Sequence, residues 1–247
     1  MHTNSIVNQQ ALALATSQIH RSRSLQELQN TFLSVAPKFV DADAYGLYLF
    51  DKDLQTSSVI SHRANQKFLA EYEKIRSDDP LFNYVVSEKR FTHSLDIFEK
   101  RDWLQQPLHG FLSRWGLDYS IEAPLMCEGR ITGTLNFAIG GKHYFAEESL
   151  ALAEFLCAEF DATYQRLLEL ERLRKQSAAS IAHSGAFEDL SQRSGQVLEL
   201  LLGGMSNRQI STQLNISENT VRYHVKQIYR QYGVHNRAQL LRRAYVN

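Results

Sequence analysis

Ser217-Glu-Asn-Thr-Val-Arg-Tyr-His-Val-Lys-Gln-Ile-Tyr-Arg-Gln-Tyr-Gly233 is the stretch on which the reading of this 247-residue chain turns. Ser217 suits a helix N-cap, because its hydroxyl can accept from an orphan N–H of the first turn, and Glu218 suits the positive end of the helix dipole. Gly233 is placed to end the helix in a left-handed conformation that a side chain resists. Between them Val221, Val225, Ile228 and Tyr232 recur at helical spacing and make one apolar face. Asn219, Arg222, Tyr223, Lys226, Gln227 and Arg230 share the other. A helix that buries one side and offers Arg, Lys, Asn and Gln on the other fits a major groove. An ordinary amphipathic helix with a solvated basic face has the same pattern, so its neighbours decide.

Upstream, Val197, Leu198, Leu201 and Leu202 mark a helix that stops at Gly203-Gly204. Ser206 caps a short helix, Asn207 to Leu214, with Ile210 and Leu214 as its buried residues. Asn215-Ile216 then makes a tight turn into Ser217. Two helices joined by so short a turn define a helix-turn-helix, whose second element enters the major groove. Downstream, Asn236 caps a fourth helix with Leu240, Leu241 and Ala244 on its apolar face. Charge agrees: from Phe187 onward eight Lys/Arg stand against four Asp/Glu, whereas the other 186 residues carry 19 against 23. A mildly acidic body with a basic tail suggests an anionic partner for the tail.

The segments Leu190-Ser-Gln-Arg-Ser-Gly-Gln-Val-Leu198, Gly204-Met-Ser-Asn-Arg-Gln-Ile210, Leu214-Asn-Ile-Ser-Glu-Asn-Thr-Val-Arg-Tyr-His224 and Val234-His-Asn-Arg237 together resemble the LuxR-type DNA-binding domain. The family usually has glutamates at the positions of Ser194 and Gln196. The resemblance implies that Arg222, Tyr223 and Lys226 meet base edges or nearby phosphates. It also implies that Asn207, Thr220 and Arg230 contact phosphates that fix the register. Val221, His224, Val225 and Ile228 are expected to pack, His224 as a structural histidine. The family uses the fourth helix as a dimer contact, which implies a homodimer on double-stranded DNA with a two-fold operator, half-sites about one helical turn apart. RNA polymerase is a further candidate partner.

The body reads as helices over 6–19 and 24–36, the second with Ser24 and Glu27 at capping-box spacing and Leu25, Leu28, Phe32 and Val35 as its buried stripe. Ala44–Phe50 and Ser57–Ser61 flank the turn signal Asp51-Lys-Asp53, a hairpin. Helices are expected over 65–76, 80–89 and 99–115, the last interrupted by Pro107. Strands follow over 120–126 and 132–139, then a long helix over about 146–174 whose end, Leu167-Leu-Glu-Leu-Glu-Arg-Leu-Arg174, carries a leucine seam fit for a dimer. The fold class is therefore α+β. An antiparallel sheet flanked by helices, an α-β-α sandwich of GAF/PAS type, occupies residues 1–174 as a sensing and dimerisation domain. Residues 175–186, small and polar, are the expected linker to an all-α four-helix domain over 187–247.

Phe68-x-x-x-Tyr72, Asp79-Pro80, Gly116 and Ser120-Ile-Glu-Ala-Pro124 make region 20–170 resemble the autoinducer-binding domain of quorum-sensing LuxR proteins, itself similar to GAF and PAS sensors. The resemblance implies a small, mostly apolar signal, an acyl-homoserine lactone or another molecule. Tyr72 would donate to an amide carbonyl and Asp79 would accept the amide N–H. The candidate lining is Tyr45, Tyr48, Phe68, Tyr72, Asp79, Trp103, Trp115 and Ser120, with Phe50 and Tyr119 as further aromatic candidates. The family has tryptophan, an indole donor, where this chain has Phe68, and Ser94 and Ser120 stand near a second tryptophan and a glycine. Phe68 and Tyr72 also suit a plain core, and Asp79 also suits the N-cap of a helix with Pro80 at N1. A ligand-independent body serving only dimerisation or partner binding remains the alternative.

Other classes fit poorly. A phosphorylated receiver would open on a strand and place an acidic pair after it, whereas this chain opens with two helices. G-x-S-x-G, P-loop and dinucleotide-turn motifs and metal-ligand spacings are absent from the sequence, so neither an enzyme, a cofactor nor a metal is expected. Cys127 and Cys157 lie far apart and read as buried free thiols of a reducing cytoplasm. No apolar run approaches the roughly 18 residues that span a bilayer, so no membrane association is expected.

Overall fold

Asp51 turns the first hairpin: its carboxylate accepts from the backbone N–H groups of Asp53 and Gln55, both at 2.9 Å, between β1 (Ala44–Phe50) and β2 (Thr56–His62). The computed structural model describes residues 2–141, 144–183 and 190–246. The chain divides into two units, Met1–Leu167 and Leu168–Asn247.

In the first unit β3 (Thr92–His93), β4 (Tyr119–Cys127) and β5 (Arg130–Ile139) complete an antiparallel sheet of order β2-β1-β5-β4-β3. The register pairs Tyr48 with Thr134 and Glu122 with both Asn136 and Thr92. Because side chains alternate across a strand, Ala44, Gly46, Tyr48, Ser120, Glu122, Asn136 and Ala138 share one face of this sheet. The opposite face is covered by α2 (Leu25–Val35) and by the long α8 (Glu147–His183), with α1 (His2–His20) preceding them. There Phe32 meets Phe137 at 5.7 Å and Phe160 at 5.4 Å, both edge-on, the arrangement ring quadrupoles favour. Ser24 caps α2 as expected, its hydroxyl accepting from Glu27 N–H at 3.2 Å, while the Glu27 carboxylate accepts from Arg23 rather than from the cap itself.

Over the face that carries Glu122 lie α3 (Gln66–Tyr72), α4 (Pro80–Glu88), α5 (Ser94–Ile97), α6 (Lys100–Trp103) and α7 (Pro107–Arg114). Two expected helices are shorter than their sequence periodicity suggests. The helix expected over 65–76 ends at Tyr72, a 3-10 turn covers Arg76–Asp78, and Asp79, the residue before Pro80, is extended (φ −72°, ψ 114°) as that position requires. The helix expected over 99–115 splits at Pro107, which starts α7. β3 and α5 were not expected; His93 caps α5 by accepting Leu95 N–H at Nδ1, and the Asp96 carboxylate returns to His93 N–H. Cys157 is buried as expected, whereas Cys127 at the end of β4 is only half-buried. No described helix is long and apolar enough to cross a membrane.

The expected linker differs most. α8 continues to His183, so residues 175–183 are helical, and residues 184–186 lie outside the described residues. Ala, Lys, Gln and Ser at these positions are compatible with helix once eight turns precede them, since elongation adds one bond per residue fixed.

The second unit contains α9 (Gln192–Leu202), α10 (Asn207–Gln213), α11 (Glu218–Gln231) and α12 (Arg237–Val246). Its core joins all four through Val197, Leu198, Leu201, Leu202, Ile210, Val221, Val225, Ile228 and Leu240. Arg237 at the start of α12 donates to Met205 O at 2.8 Å and to Leu201 O, tying α12 to the turn after α9. Leu240 and Ala244, the apolar face of α12, are already buried in this core.

Candidate functional site

Two places in the fold collect the residues singled out by sequence. The first is a cavity of about 70 Å³ between the sheet and the helices above it. Tyr45, Tyr48, Phe68, Tyr72, Asp79 and Ser120 border it, with Leu108, Leu112 and Leu117 supplying aliphatic wall. An adjoining space of about 190 Å³ shares Ala44, Ala64, Phe68 and Leu117 and adds Arg63 and Trp115.

Phe68 and Tyr72 lie one turn apart on α3 and stack with centroids 6.3 Å apart. Phe68 also meets Phe111 at 5.0 Å and Trp115 at 5.4 Å, and Tyr72 meets Tyr48 edge-on at 6.4 Å. The Tyr72 hydroxyl donates to Asp79 Oδ2 at 2.8 Å. Asp79 Oδ1 accepts from Leu81 and Phe82 N–H at 2.8 and 3.1 Å and so caps α4. The capping role and the cavity role therefore coexist in one carboxylate, one oxygen for each. Burial pushes the Asp79 carboxyl up against the lowering effect of those three donors, and burial followed by the nearby Asp79 charge pushes the Tyr72 phenol up.

Several expected positions are corrected. Trp103 does not reach the cavity: it is fully buried, its indole N–H donates to Asp118 O at 2.8 Å, and its ring packs on Phe98 and His109. The Tyr45 ring belongs by strand parity to the other sheet face and packs on His62 at 5.0 Å and Phe32 at 6.1 Å, so this residue borders the cavity without aiming its ring into it. Phe50 packs on Phe82 and Tyr119 on Tyr144, both away from the cavity. Trp115 borders only the adjoining space, and its buried indole N–H has no partner among the described residues. Ser94 and Ser120 meet each other: Ser94 Oγ accepts Ser120 N–H at 2.9 Å and donates to Ser120 O at 3.1 Å.

Glu122 is the ionisable lining residue that the sequence reading missed. It is 3% exposed, Asp79 is 4% exposed, and both border the same cavity. Burial first, and the Asp79 charge second, push the Glu122 carboxyl up to about 8 despite hydrogen bonds with Asn136 and Thr134. A lone charge between Ile121 and Ala123 was the available signal. Arg76 does not neutralise the pair, because its guanidinium donates to Thr56 Oγ1 and Leu54 O, bridges to Glu73, and lies over the rings of Phe50 and Phe82. No cluster of His, Cys, Asp or Glu fit for a metal occurs among the described residues.

The second place is the outer face of α11. Ser217 caps it, its hydroxyl accepting Thr220 N–H at 3.0 Å. Val221, Val225 and Ile228 face the core, while Asn219, Arg222, Tyr223, Lys226, Gln227 and Arg230 are exposed, Tyr223 to 60%. Arg222 is held by Glu218 at 2.9 Å one turn earlier. Thr220 and Asn207 stand half-buried in the first turns of α11 and α10. His224 is structural in its contacts: Nδ1 lies 3.1 Å from Ser194 Oγ, so the serine that replaces the family glutamate has a partner on α11.

Residues 188–244 match the family of bacterial regulatory proteins described as the luxR family, and this segment is a LuxR-family helix-turn-helix domain. Two curated relatives are the two-component response regulator PprB of Pseudomonas aeruginosa, 44% identical over 54 residues, and the nitrate/nitrite response regulator NarP of Escherichia coli, 41% identical over 56. The matched segment is 22% of this chain and 20% of PprB, and 23% of this chain and 26% of NarP, so it spans about a quarter of either relative. Among solved structures, the phytochrome photosensory core module of Stigmatella aurantiaca superposes with a TM-score of 0.54 at 18% identity, over 82% of this chain and 46% of that one, a likeness of fold. Escherichia coli SdiA aligns over 94% of both chains at 18% identity with a TM-score of 0.48.

Proposed function

We propose that this chain is a cytoplasmic DNA-binding transcription regulator whose first unit binds a small, mostly apolar molecule and thereby biases DNA binding by the second. The observation that carries the DNA half is the outer face of α11, where Arg222, Tyr223, Lys226 and Arg230 stand free of the core on a helix whose other side is locked into it. Arg222, Tyr223 and Lys226 are placed to meet base edges, and Asn207, Thr220 and Arg230 to meet phosphates. Arg222→Ala or Lys226→Ala should weaken binding to the operator by about 1–3 kcal/mol in a titration of full-length protein on labelled duplex. Wild-type affinity in both variants would remove α11 as the reading helix.

A homodimer on a two-fold operator accords with the exposed Leu170 and Leu173 on α8, a leucine pair that its own chain leaves uncovered to 39% and 45%. RNA polymerase is then a partner if the regulator activates. The ligand half rests on the cavity lined by Tyr48, Phe68, Tyr72 and Asp79. An acyl-homoserine lactone is one candidate, its amide spanning Tyr72 and Asp79, with the unpartnered Trp115 indole N–H as the donor that Phe68 cannot be. Mass spectrometry of small molecules released from protein expressed with and without such lactones tests this. A second reading, a body that only dimerises or binds a partner protein, is favoured by one observation: Tyr72 and Asp79 already satisfy each other. Protein that stays empty yet binds its operator would select that second reading.

A further inference from the structure

The polar floor of the cavity is acidic. Glu122 and Asp79 reach it from β4 and from the cap of α4, and every other polar lining group is a phenol, a serine hydroxyl or the Asn136 amide. The groups that face Glu122 are the Asp79 carboxylate, the Tyr48 and Tyr72 phenols and, less closely, the Arg76 guanidinium, already engaged with Thr56, Leu54 and Glu73. A neutral acyl chain gains nothing from two buried carboxyls, whereas a cation restores the charge balance that burial removed. The sheet holds one more part of such a site. Thr92 pairs with Glu122 across β3 and β4, is 1% exposed, and its hydroxyl has no partner among the described residues. Cross-strand partners share a sheet face, so this spare donor stands beside the carboxyl that would need it once ionised.

We propose that the cavity takes a small alkyl amine, its ammonium seated against the Glu122 and Asp79 carboxyls and its apolar chain running past Phe68 into the adjoining space beside Trp115. The inference rests on the ligand-cavity reading above and names the chemical class that the cavity selects. Seating the ammonium ionises Glu122, and the carboxyl proton leaves to solvent. Glu122 then accepts from the ligand in addition to Asn136, and the Thr92 hydroxyl is a further donor on the same sheet face, whereas the Thr134 hydroxyl is given to Asn136 Oδ1 at 2.9 Å.

Isothermal titration of the full-length protein with n-hexylamine, 1-hexanol and hexanoate at pH 6, 7 and 8, each in two buffers of different ionisation enthalpy, tests the proposal. The amine should bind at least tenfold tighter than the alcohol at pH 8, and hexanoate should not bind. Amine affinity should rise about tenfold from pH 6 to 7 with release of close to one proton, rise about fivefold more from pH 7 to 8, and flatten only above pH 8, where Glu122 is ionised without ligand. Glu122→Gln should remove both the pH dependence and the preference for the amine. Alcohol binding equal to that of the amine, or amine binding flat across pH 6 to 8, overturns the amine assignment and leaves the cavity reading standing. Absence of binding by all three probes overturns both.

Discussion

Glu122 shows how one side chain can set the behaviour of a cavity without announcing itself in sequence. Its carboxyl is pushed from an ordinary value of 4.5 to about 8, so between those limits the unfolded chain ionises while the folded chain keeps its proton. The folded state therefore binds more protons, and stability falls as pH rises across that window, by roughly 1.4 kcal/mol per unit at most. Asp79, raised in the same direction, adds to the slope at its acidic end. Urea denaturation of the first unit should give a midpoint that drops from pH 5 to pH 8, and Glu122→Gln should flatten that drop while stabilising the protein at pH 8. An unchanged pH profile in the variant would mean that Glu122 is ionised in the folded protein. At Trp115 the prediction concerns an orphan donor. Trp115→Phe should leave stability within about 1 kcal/mol, because the indole N–H satisfies nothing that is lost with it. Thermal melts compared with wild type check this, and a much larger loss would point to a partner for that N–H.

Elements of the second unit end by one recurring device. After α11, Gly233 is left-handed (φ 62°) and Val234 N–H returns to Tyr229 O at 2.9 Å; after α10, Asn215 is left-handed (φ 50°) and Ile216 N–H returns to Ser211 O at 3.0 Å. This 6→1 bond closes the last turn and turns the chain sharply, and it is what makes the helix-turn-helix corner short. Gly233→Ala should cost about 1 kcal/mol, since an L side chain resists that conformation, whereas Asn215→Gly should be neutral or slightly stabilising. Chemical denaturation followed by far-UV circular dichroism separates the two outcomes. These ends were legible because each signal is local: a serine or asparagine at Ser206, Ser217 and Asn236, then a residue tolerant of positive φ a few turns on. The helices above the cavity were less legible. The helices expected over 65–76 and 99–115 ran through Ile75 and Leu104, yet α3 stops at Tyr72 and α6 at Trp103; the Pro107 ring would meet the Trp103 carbonyl four residues back, whereas nothing local in the sequence marks the end of α3. The two-residue β3 had no periodicity to read at all. It exists because Thr92 and His93 find Glu122 and Ile121 on β4, thirty residues away in the chain.

The whole molecule carries no formal net charge, yet its charges are unevenly distributed along the chain. Binding to duplex DNA should therefore weaken steeply with salt, with a slope of log K against log salt near −0.9 for each phosphate contacted. Arg230→Ala should reduce the magnitude of that slope by about one. Charge changes on the exposed face of α2 should leave it alone, and fluorescence anisotropy between 50 and 300 mM salt measures both. The sequence by itself determined the second unit of this protein. Caps, turn residues and a single amphipathic face identify α9 to α12 because the helix-turn-helix is assembled from neighbours in the chain, where short-range signals suffice. The antiparallel sheet was legible too, from its two hairpins. Tertiary structure alone decided the cavity of the first unit. Phe68, Asp79, Glu122 and Asn136 become one cavity only when α3, α4, β4 and β5 meet, and the strands there are buried on both faces. Alternation then no longer marks which residues point into empty space and which into core, so Glu122 was missed. Trp103 lies on α6, and only the packing of that short helix turns its ring toward Phe98 and His109 and away from the cavity. Burial, which sets the protonation of Glu122, is a property of the packed fold and is written in no local stretch of the chain.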